Sequence, residues 1–321
     1  MTEPCEIHPE PPDQEVRPHG LLVFDKPPGP SSYDCIRFLK RICRLGAKWK
    51  IGHLGTLDPF ASGVLLIALG QATRYASFAL ESAKKYRARL WLGDETDTLD
   101  PTGTVIASAP VPPDWQDLLP DISHKFVGII EQTPPAFSAK QVDGKRSYKA
   151  ARAGEPIALK PVEVEIYSLE FNGIAENRVD FIATVSGGTY VRALGRDIAK
   201  ALGTVGHLLG LERIASGRFT IEEAIPMNAF EVGGSTVMMH HLRPVDQILE
   251  HLRPCVIRDD RIPRLLHGKI VTREDIAGEY PDSPVESEVL RFVDSEGGFV
   301  ALGRVTENPG EVVPFKPWLQ R

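Results

Sequence analysis

The residue of this sequence best placed to do chemistry is Asp58. It stands inside Gly52-His53-Leu54-Gly55-Thr56-Leu57-Asp58-Pro59-Phe60-Ala61-Ser62-Gly63, just before the apolar run Val64-Leu65-Leu66-Ile67-Ala68-Leu69. Pro59 biases Asp58 away from helix toward extended or turn backbone. The glycines at 52, 55 and 63 permit angles and close approaches that a side chain would block. The result is a carboxylate on a stiff loop entering a buried strand, a setting where reactive groups are often held. An Asp-Pro in a glycine-rich loop also serves as a plain turn, and a lone His53 as a hydrogen-bonded structural residue. The rest of the chain has to decide.

Two further polar residues have marked positions. Lys84 to Gly93 alternates, with Tyr86, Ala88, Leu90 and Leu92 on one strand face and Arg87, Arg89 and Trp91 on the other. Tyr86 is thus a core aromatic or a stacking surface. Ser186-Gly187-Gly188-Thr189-Tyr190-Val191-Arg192 turns into a helix that runs to Leu202, with Leu194, Ile198 and Leu202 on one face and Gly203 as its stop. Arg192 in the first turn is disfavoured by the helix dipole, which hints at a specific partner.

The elements that position these residues are legible around them. Gly20 to Phe24 reads as a short strand stopped by Pro27-Pro28-Gly29. Ser31 or Ser32 caps a helix, with Asp34 in capping-box position and Ile36, Leu39 and Ile42 as its buried stripe. Ala72 to Leu80 predicts a short helix, 113 to 125 another, and Val127 to Ile130 a strand. Val162, Val164 and Ile166, then Val179, Phe181, Ala183 and Val185, predict two antiparallel strands. From about residue 245 the pattern becomes β-rich, with short strands expected in Ile257 to Val271, Val289 to Val293 and Phe299 to Val305. The predicted class is α+β: a mixed, largely antiparallel central sheet with flanking helices, then a small β module. Residues 1–18 are rich in Pro and Glu and predict a disordered tail.

Composition narrows the function. At 42% hydrophobic and 25% charged, the 321 residues fit an ordinary globular protein of one large and one smaller domain. No apolar run reaches membrane-spanning length, and no basic-then-apolar leader opens the chain. Cys5, Cys35, Cys43 and Cys255 form no C-x-x-C pair, which argues against a zinc cage or disulfide framework and fits a reducing cytoplasm. Asp94 to Asp100 has a calcium-loop look but lacks the closing Glu of an EF-hand. The formal net charge is −6, yet residues 36–50 hold Arg37, Lys40, Arg41, Arg44, Lys48 and Lys50 and no acid. Lys140, Lys145, Arg146, Lys149 and Arg152 crowd a second basic loop suited to phosphate contacts.

The motif Gly52-His53-x-Gly55-Thr56-Leu57-Asp58-Pro59-x-Ala61-x-Gly63-Val64-Leu65, continued by Leu69-Gly70-Gln71-Ala72-Thr73-Arg74, closely resembles the catalytic-aspartate motif of the TruB family of tRNA pseudouridine synthases. Asp25-Lys26-Pro27 with Ser31-Ser32, Lys84-x-Tyr86, Gly93-Asp94-x-Thr96-Asp97-Thr98-x-Asp100, Gly188-Thr189-Tyr190-x-Arg192 and Gly206 to Arg213 resemble its other motifs. The likeness spans roughly residues 20 to 220. It implies the pseudouridine-synthase fold over 19–244, with 132–154 as an RNA-embracing insertion. Gly268-Lys269-x-Val271 and Gly298 to Gly303 resemble a PUA-type RNA-binding module over 245–321.

The resemblance further implies isomerisation of uridine 55 in the T loop of tRNA to pseudouridine, without cofactor, metal or guide RNA, by a monomer. Asp58 is then the catalytic carboxylate, held ionised and oriented by Arg192, whose charge is expected to keep its pKa low. Tyr86 stacks on the flipped uracil and offers a phenol for removing the C5 proton. His53 fills space left by flipped nucleotides, Leu211 packs near the base, and Tyr190, Lys26, Lys140 and Arg152 complete the expected RNA contacts. Two other readings share these motifs: a guide-RNA-dependent relative, and a non-catalytic tRNA-binding or tRNA-folding protein.

Overall fold

The structure is a computed structural model that describes residues 17–138, 141–142, 145–146, 159–278, 285–308 and 310–318. Residues 1–16 of the expected tail, together with Lys140 and Arg152, lie outside the described residues.

The chain begins with β1 (Gly20–Lys26), α1 (Ser32–Ile42), β2 (Ile51–His53), β3 (Ser62–Leu69), α2 (Ala76–Glu81) and β4 (Lys84–Leu92). It continues with β5 (Asp94–Thr96), β6 (Val105–Ser108), α3 (Leu119–Phe126), β7 (Gly128–Gln132), β8 (Gln141–Val142) and β9 (Lys145–Arg146). Next come β10 (Val162–Ala175), β11 (Arg178–Val185), α4 (Val191–Ala201), β12 (Gly206–Ser216), β13 (Phe219–Thr220), β14 (Ile225–Pro226) and α5 (Met227–His240). The C-terminal part holds β15 (Pro254–Val256), α6 (Ile262–Leu266), β16 (Val289–Val293), β17 (Phe299–Val305) and β18 (Val312–Pro317).

The central sheet runs β14-β1-β3-β12-β4-β11-β10-β7, with β2 added to β3 and β13 to β12. Its β1–β14 and β3–β12 pairs are parallel and the others antiparallel, so it is mixed and largely antiparallel as predicted. Apolar runs choose its centre. In β1 and β3, Leu22, Phe24, Leu65 and Ile67 pack toward the helical layer with Ile36, Leu39, Leu194, Phe230 and Met238. Their neighbours Leu21, Val23, Val64 and Leu66 pack on the other side with Tyr75, Val245, Leu249 and Leu302. Strands covered on both faces need no polar alternation. β4 has one open face, and Lys85, Arg87 and Arg89 alternate with buried Tyr86, Ala88 and Leu90.

The C-terminal sheet runs β15-β16-β17-β18. It is fastened to the part built on the central sheet where the Tyr75 hydroxyl donates to the Lys316 carbonyl at 2.6 Å and Arg74 donates to the Pro317 carbonyl at 3.0 Å. Trp318 packs beside Tyr75, Phe299 and His19 there. One sequence expectation fails in this module. Residues 257 to 271 are not a strand but a tight turn at Asp259–Arg261 followed by α6. Pro263 lacks the amide that a strand interior requires and suits the first turn of a helix, while Ile262 and Leu265 fall at helical spacing and are buried. Cys35, Cys43 and Cys255 are buried free thiols, the last two pushed up by burial to about 11 and about 12.

Candidate active site

The Asp58 loop, residues 54–61, joins β2 to β3 and is tied down from several directions. The Gly29 amide donates to the Pro59 carbonyl at 2.7 Å. Ser32, at the start of α1, donates its hydroxyl to the Leu57 carbonyl at 2.9 Å and accepts from the Leu57 amide at 2.8 Å. The Lys26 ammonium is fully buried and donates to the carbonyls of Pro27, Pro59 and Ala61 at 2.9, 3.2 and 2.6 Å. Arg213, also buried, donates Nε to the Val64 carbonyl at 2.7 Å and Nη2 to the Gly55 carbonyl at 3.1 Å. Gly55 and Gly63 have φ of 124° and 99°, and a Cβ on Gly63 would stand 2.4 Å from the Arg213 carbonyl oxygen. These two positions require glycine. Gly52, expected with them, has neither constraint.

Arg192 reaches Asp58 from the first turn of α4 as a fork. Its Nε lies 2.8 Å from Oδ2 and its Nη2 donates to Oδ1 at 3.1 Å. Such paired bonds fix both distance and plane of a carboxylate. The remaining donors are used as well: Nη1 bonds the Thr98 carbonyl at 2.6 Å and Nη2 the Phe137 carbonyl at 3.0 Å. Nη1 also lies 3.5 Å from Asp100 Oδ2. These partners offset the unfavourable helix-terminus position that the sequence reveals. Arg192 is only 4% exposed, whereas the Asp58 side chain keeps 34% of its surface open. The cation is therefore structural and the carboxylate is the group presented outward.

Arg192 does not win the electrostatic contest as expected. Burial is the largest influence on Asp58 and pushes its carboxyl above the ordinary range; Arg192 and Lys26 pull it back, and Asp100 pushes it further up. The expectation of a lowered pKa is thus corrected, because desolvation and a second carboxylate outweigh the guanidinium. Asp100 is itself buried, and its Oδ1 accepts from the Thr98 hydroxyl, the Thr102 amide and the Thr102 hydroxyl at 2.8, 2.9 and 2.5 Å.

A cleft of about 340 Å³ opens over this pair, lined by Asp58, Tyr86, Tyr190, Arg192, Leu211 and Arg213 among others. Tyr86 projects from the buried face of β4, its hydroxyl 3.5 Å from Arg213 Nη1. Leu211 comes from neighbouring β12, and Tyr190 caps α4 with its amide on Gln132 Oε1 at 2.8 Å. A wider cleft of about 570 Å³ lies beyond α2, between Phe78, Arg218 and His251, and contains none of these residues.

The structure therefore brings together Asp58, Tyr86, Arg192, Tyr190 and Leu211. It places two other expected contacts elsewhere. Lys26, expected among the substrate contacts, turns inward: its ammonium is enclosed by loop carbonyls, and burial lowers its pKa to about 8. His53 ends β2 outside the cleft lining; its Nδ1 is buried without a partner among the described residues, and burial, then Arg213, lower its pKa. Sequence reading missed Arg213, Asp100 and Lys84. Lys84 lines the cleft with its ammonium on the Ala79, Leu80 and Ser82 carbonyls at 3.0, 2.5 and 2.5 Å. The available signals were a charge inside the buried pattern of Gly206 to Arg213, and three threonines around Asp100.

A family model described as "TruB family pseudouridylate synthase (N terminal domain)" matches residues 40–191. A protein of Caldanaerobacter subterraneus subsp. tengcongensis named tRNA pseudouridine synthase B is 37% identical over 285 residues, covering 88% of this chain and 94% of its own. One of the same name from Rhodospirillum rubrum is 36% identical over 301 residues, covering 93% and 96%. Among solved structures, a Cbf5-Nop10-Gar1 complex matches with a TM-score of 0.69 at 26% identity, covering 97% of this chain and 90% of that one. The Cbf5 fold of an archaeal box H/ACA sRNP Nop10-Cbf5 complex matches at 0.68 and 25%. With identities of this size across nearly its whole length, the chain belongs to the TruB family of pseudouridylate synthases.

Proposed function

We propose that the protein converts uridine 55 in the T loop of tRNA to pseudouridine, acting in the cytoplasm as a monomer on free tRNA, with no guide RNA and no cofactor. The observation that carries the reading is the outward-facing Asp58 carboxylate, gripped by Arg192 on a rigid loop and facing a cleft that holds Tyr86 and Leu211. The reaction is an isomerisation. The N1–C1′ bond breaks, the uracil turns, and a C5–C1′ bond forms; the proton lost from C5 is balanced by one gained at N1. Ionised Asp58 assists as nucleophile or base, and Arg192 fixes its approach. Tyr86 gives the base an aromatic face, worth about 1–3 kcal/mol in stacking. Its phenol takes part in removing the C5 proton. The target nucleotide must leave its stack to reach Asp58, at a cost of a few kcal/mol that is least in a loop.

A second reading rests on the structural neighbours, which are Cbf5 complexes, one of them from a box H/ACA sRNP. The relatives at 36–37% identity carry the tRNA name instead, which favours free tRNA as substrate. The discriminating experiment uses purified protein and unmodified tRNA transcript, with no other RNA or protein. Pseudouridine at position 55 supports the proposal; product only after a guide RNA is added supports the second reading.

A further inference from the structure

The exposed face of α1 is not used by the site just described, and its composition is one-sided. Tyr33, Arg37 and Arg41 are exposed at helical spacing on this face, and Arg44 continues it past the C-cap. Cys35, Ile36, Phe38 and Leu39 on the other faces are buried. Tyr33 is 65% exposed, an aromatic ring left in water beside cations. Among the described residues, the only ion pair on this face joins Arg37 to Asp34 at 3.4 Å, and Asp34 is already engaged in capping α1 at Ser31. Arg41 and Arg44 have no ion-pair partner among the described residues. A helix dipole explains basic residues in the last turn, Lys40 and Arg41, but not Arg37 a turn earlier. Arg44 has φ of 50°, the left-handed stop that glycine ordinarily fills, so a long cation is kept where the backbone disfavours any side chain.

The helix is also mechanically joined to the chemistry. Ser32 in its first turn holds both backbone polar groups of Leu57, the residue before Asp58. α1 is 11 residues long, so its basic face extends about 16 Å from that junction. In a chain of net charge −6, a concentrated positive surface beginning at the catalytic loop complements a polyanion.

We infer that this face, through Arg37, Arg41 and Arg44 with Tyr33 beside them, is a second RNA contact that grips the phosphate backbone of the substrate outside the flipped nucleotide. The inference rests on RNA being the substrate, as proposed above. It is tested with Arg37→Gln/Arg41→Gln against a control of equal charge loss, Lys125→Gln/Lys200→Gln, whose lysines are exposed on α3 and α4. Binding of full-length tRNA transcript is titrated from low to moderate salt. The α1 variant is expected to lower the slope of log affinity against log salt by about 1.5, at about 0.7–0.9 per lost phosphate contact. Its affinity at low salt should fall about five- to tenfold, with the control at the parental slope. Because the substituted side chains are exposed, both variants should melt with the parent. An α1 variant indistinguishable from the control overturns the inference while leaving the substrate assignment intact if the parent still forms pseudouridine in the same transcript. A parent that neither binds nor modifies tRNA overturns both.

Discussion

Replacing Arg192 by leucine removes one guanidinium and strands four groups at once. The carboxylates of Asp58 and Asp100 lose their shared cation, and the carbonyls of Thr98 and Phe137 lose a donor. Removing one partner of a buried ion pair costs about 3–5 kcal/mol, and a stranded buried carbonyl about 1–3 kcal/mol more. Asp58 is partly open to water, which screens its share, so we expect a loss of about 3 kcal/mol near neutral pH. For a chain of this size that is a fall in melting temperature of about 6 °C or more. The penalty should depend on pH. Without Arg192, the burial and the neighbouring Asp100 charge that already raise the Asp58 carboxyl act with less opposition. A group whose folded pKa is raised adds stability below its unfolded pKa and loses it as pH rises through the folded one. The penalty is therefore full at pH 8 and smaller at pH 5. Denaturant melts of parent and variant at both values measure it. A loss under about 1 kcal/mol, or one equal at both pH values, refutes the view that this buried cation neutralises two carboxylates. Turnover should also fall at least about a hundredfold, because Asp58 is no longer fixed in place.

Other outcomes follow from the same geometry. Asp100→Asn removes a charge that pushes Asp58 up, so the acid limb of kcat/KM should move to lower pH; a limb that stays or rises contradicts the assignment. Lys26→Met leaves three loop carbonyls without their donor and should cost about 2–4 kcal/mol. Lys26 has a folded pKa lowered to about 8, so in the parent it contributes stability that grows from about pH 8 toward its ordinary value near 10.5. The penalty for losing it should accordingly be larger at pH 9.5 than at pH 7, which chemical denaturation at the two values can check. Tyr86→Phe keeps the ring and should preserve tRNA affinity while lowering single-turnover rate at least about tenfold; an unchanged rate removes the phenol from the chemistry.

What could be read from the chain follows from how local each signal is. The β1 strand, the Ser31 cap with Asp34, the alternation of β4 and the stop of α4 before Gly203 are written within a few residues, and all are present. Helix α5 escaped because Gly233 and Gly234 interrupt its pattern, and its helical angles do break at Gly234. Strand β2 is three residues long and exists by pairing with β3. In the site, the loop offered Asp58 as a candidate and the helix start gave Arg192 a weak hint of a partner, while the pairing of the two came from the family resemblance. Arg213 and Lys26 were not legible as loop anchors, because a buried cation is explained only by the carbonyls that surround it. Those carbonyls come from residues up to 158 positions away. The raised pKa of Asp58 likewise depends on burial and on Asp100, neither of which a linear motif encodes.

The central claim is that Asp58 performs the isomerisation at one uridine. The most direct measurement incubates parent and Asp58→Asn with unmodified tRNA transcript, without cofactors, and maps pseudouridine by a base-specific chemical readout while recording tRNA binding. The account predicts product at uridine 55 from the parent, and retained binding with no product from the variant. Equal product from Asp58→Asn, or parental product confined to other positions, would contradict it.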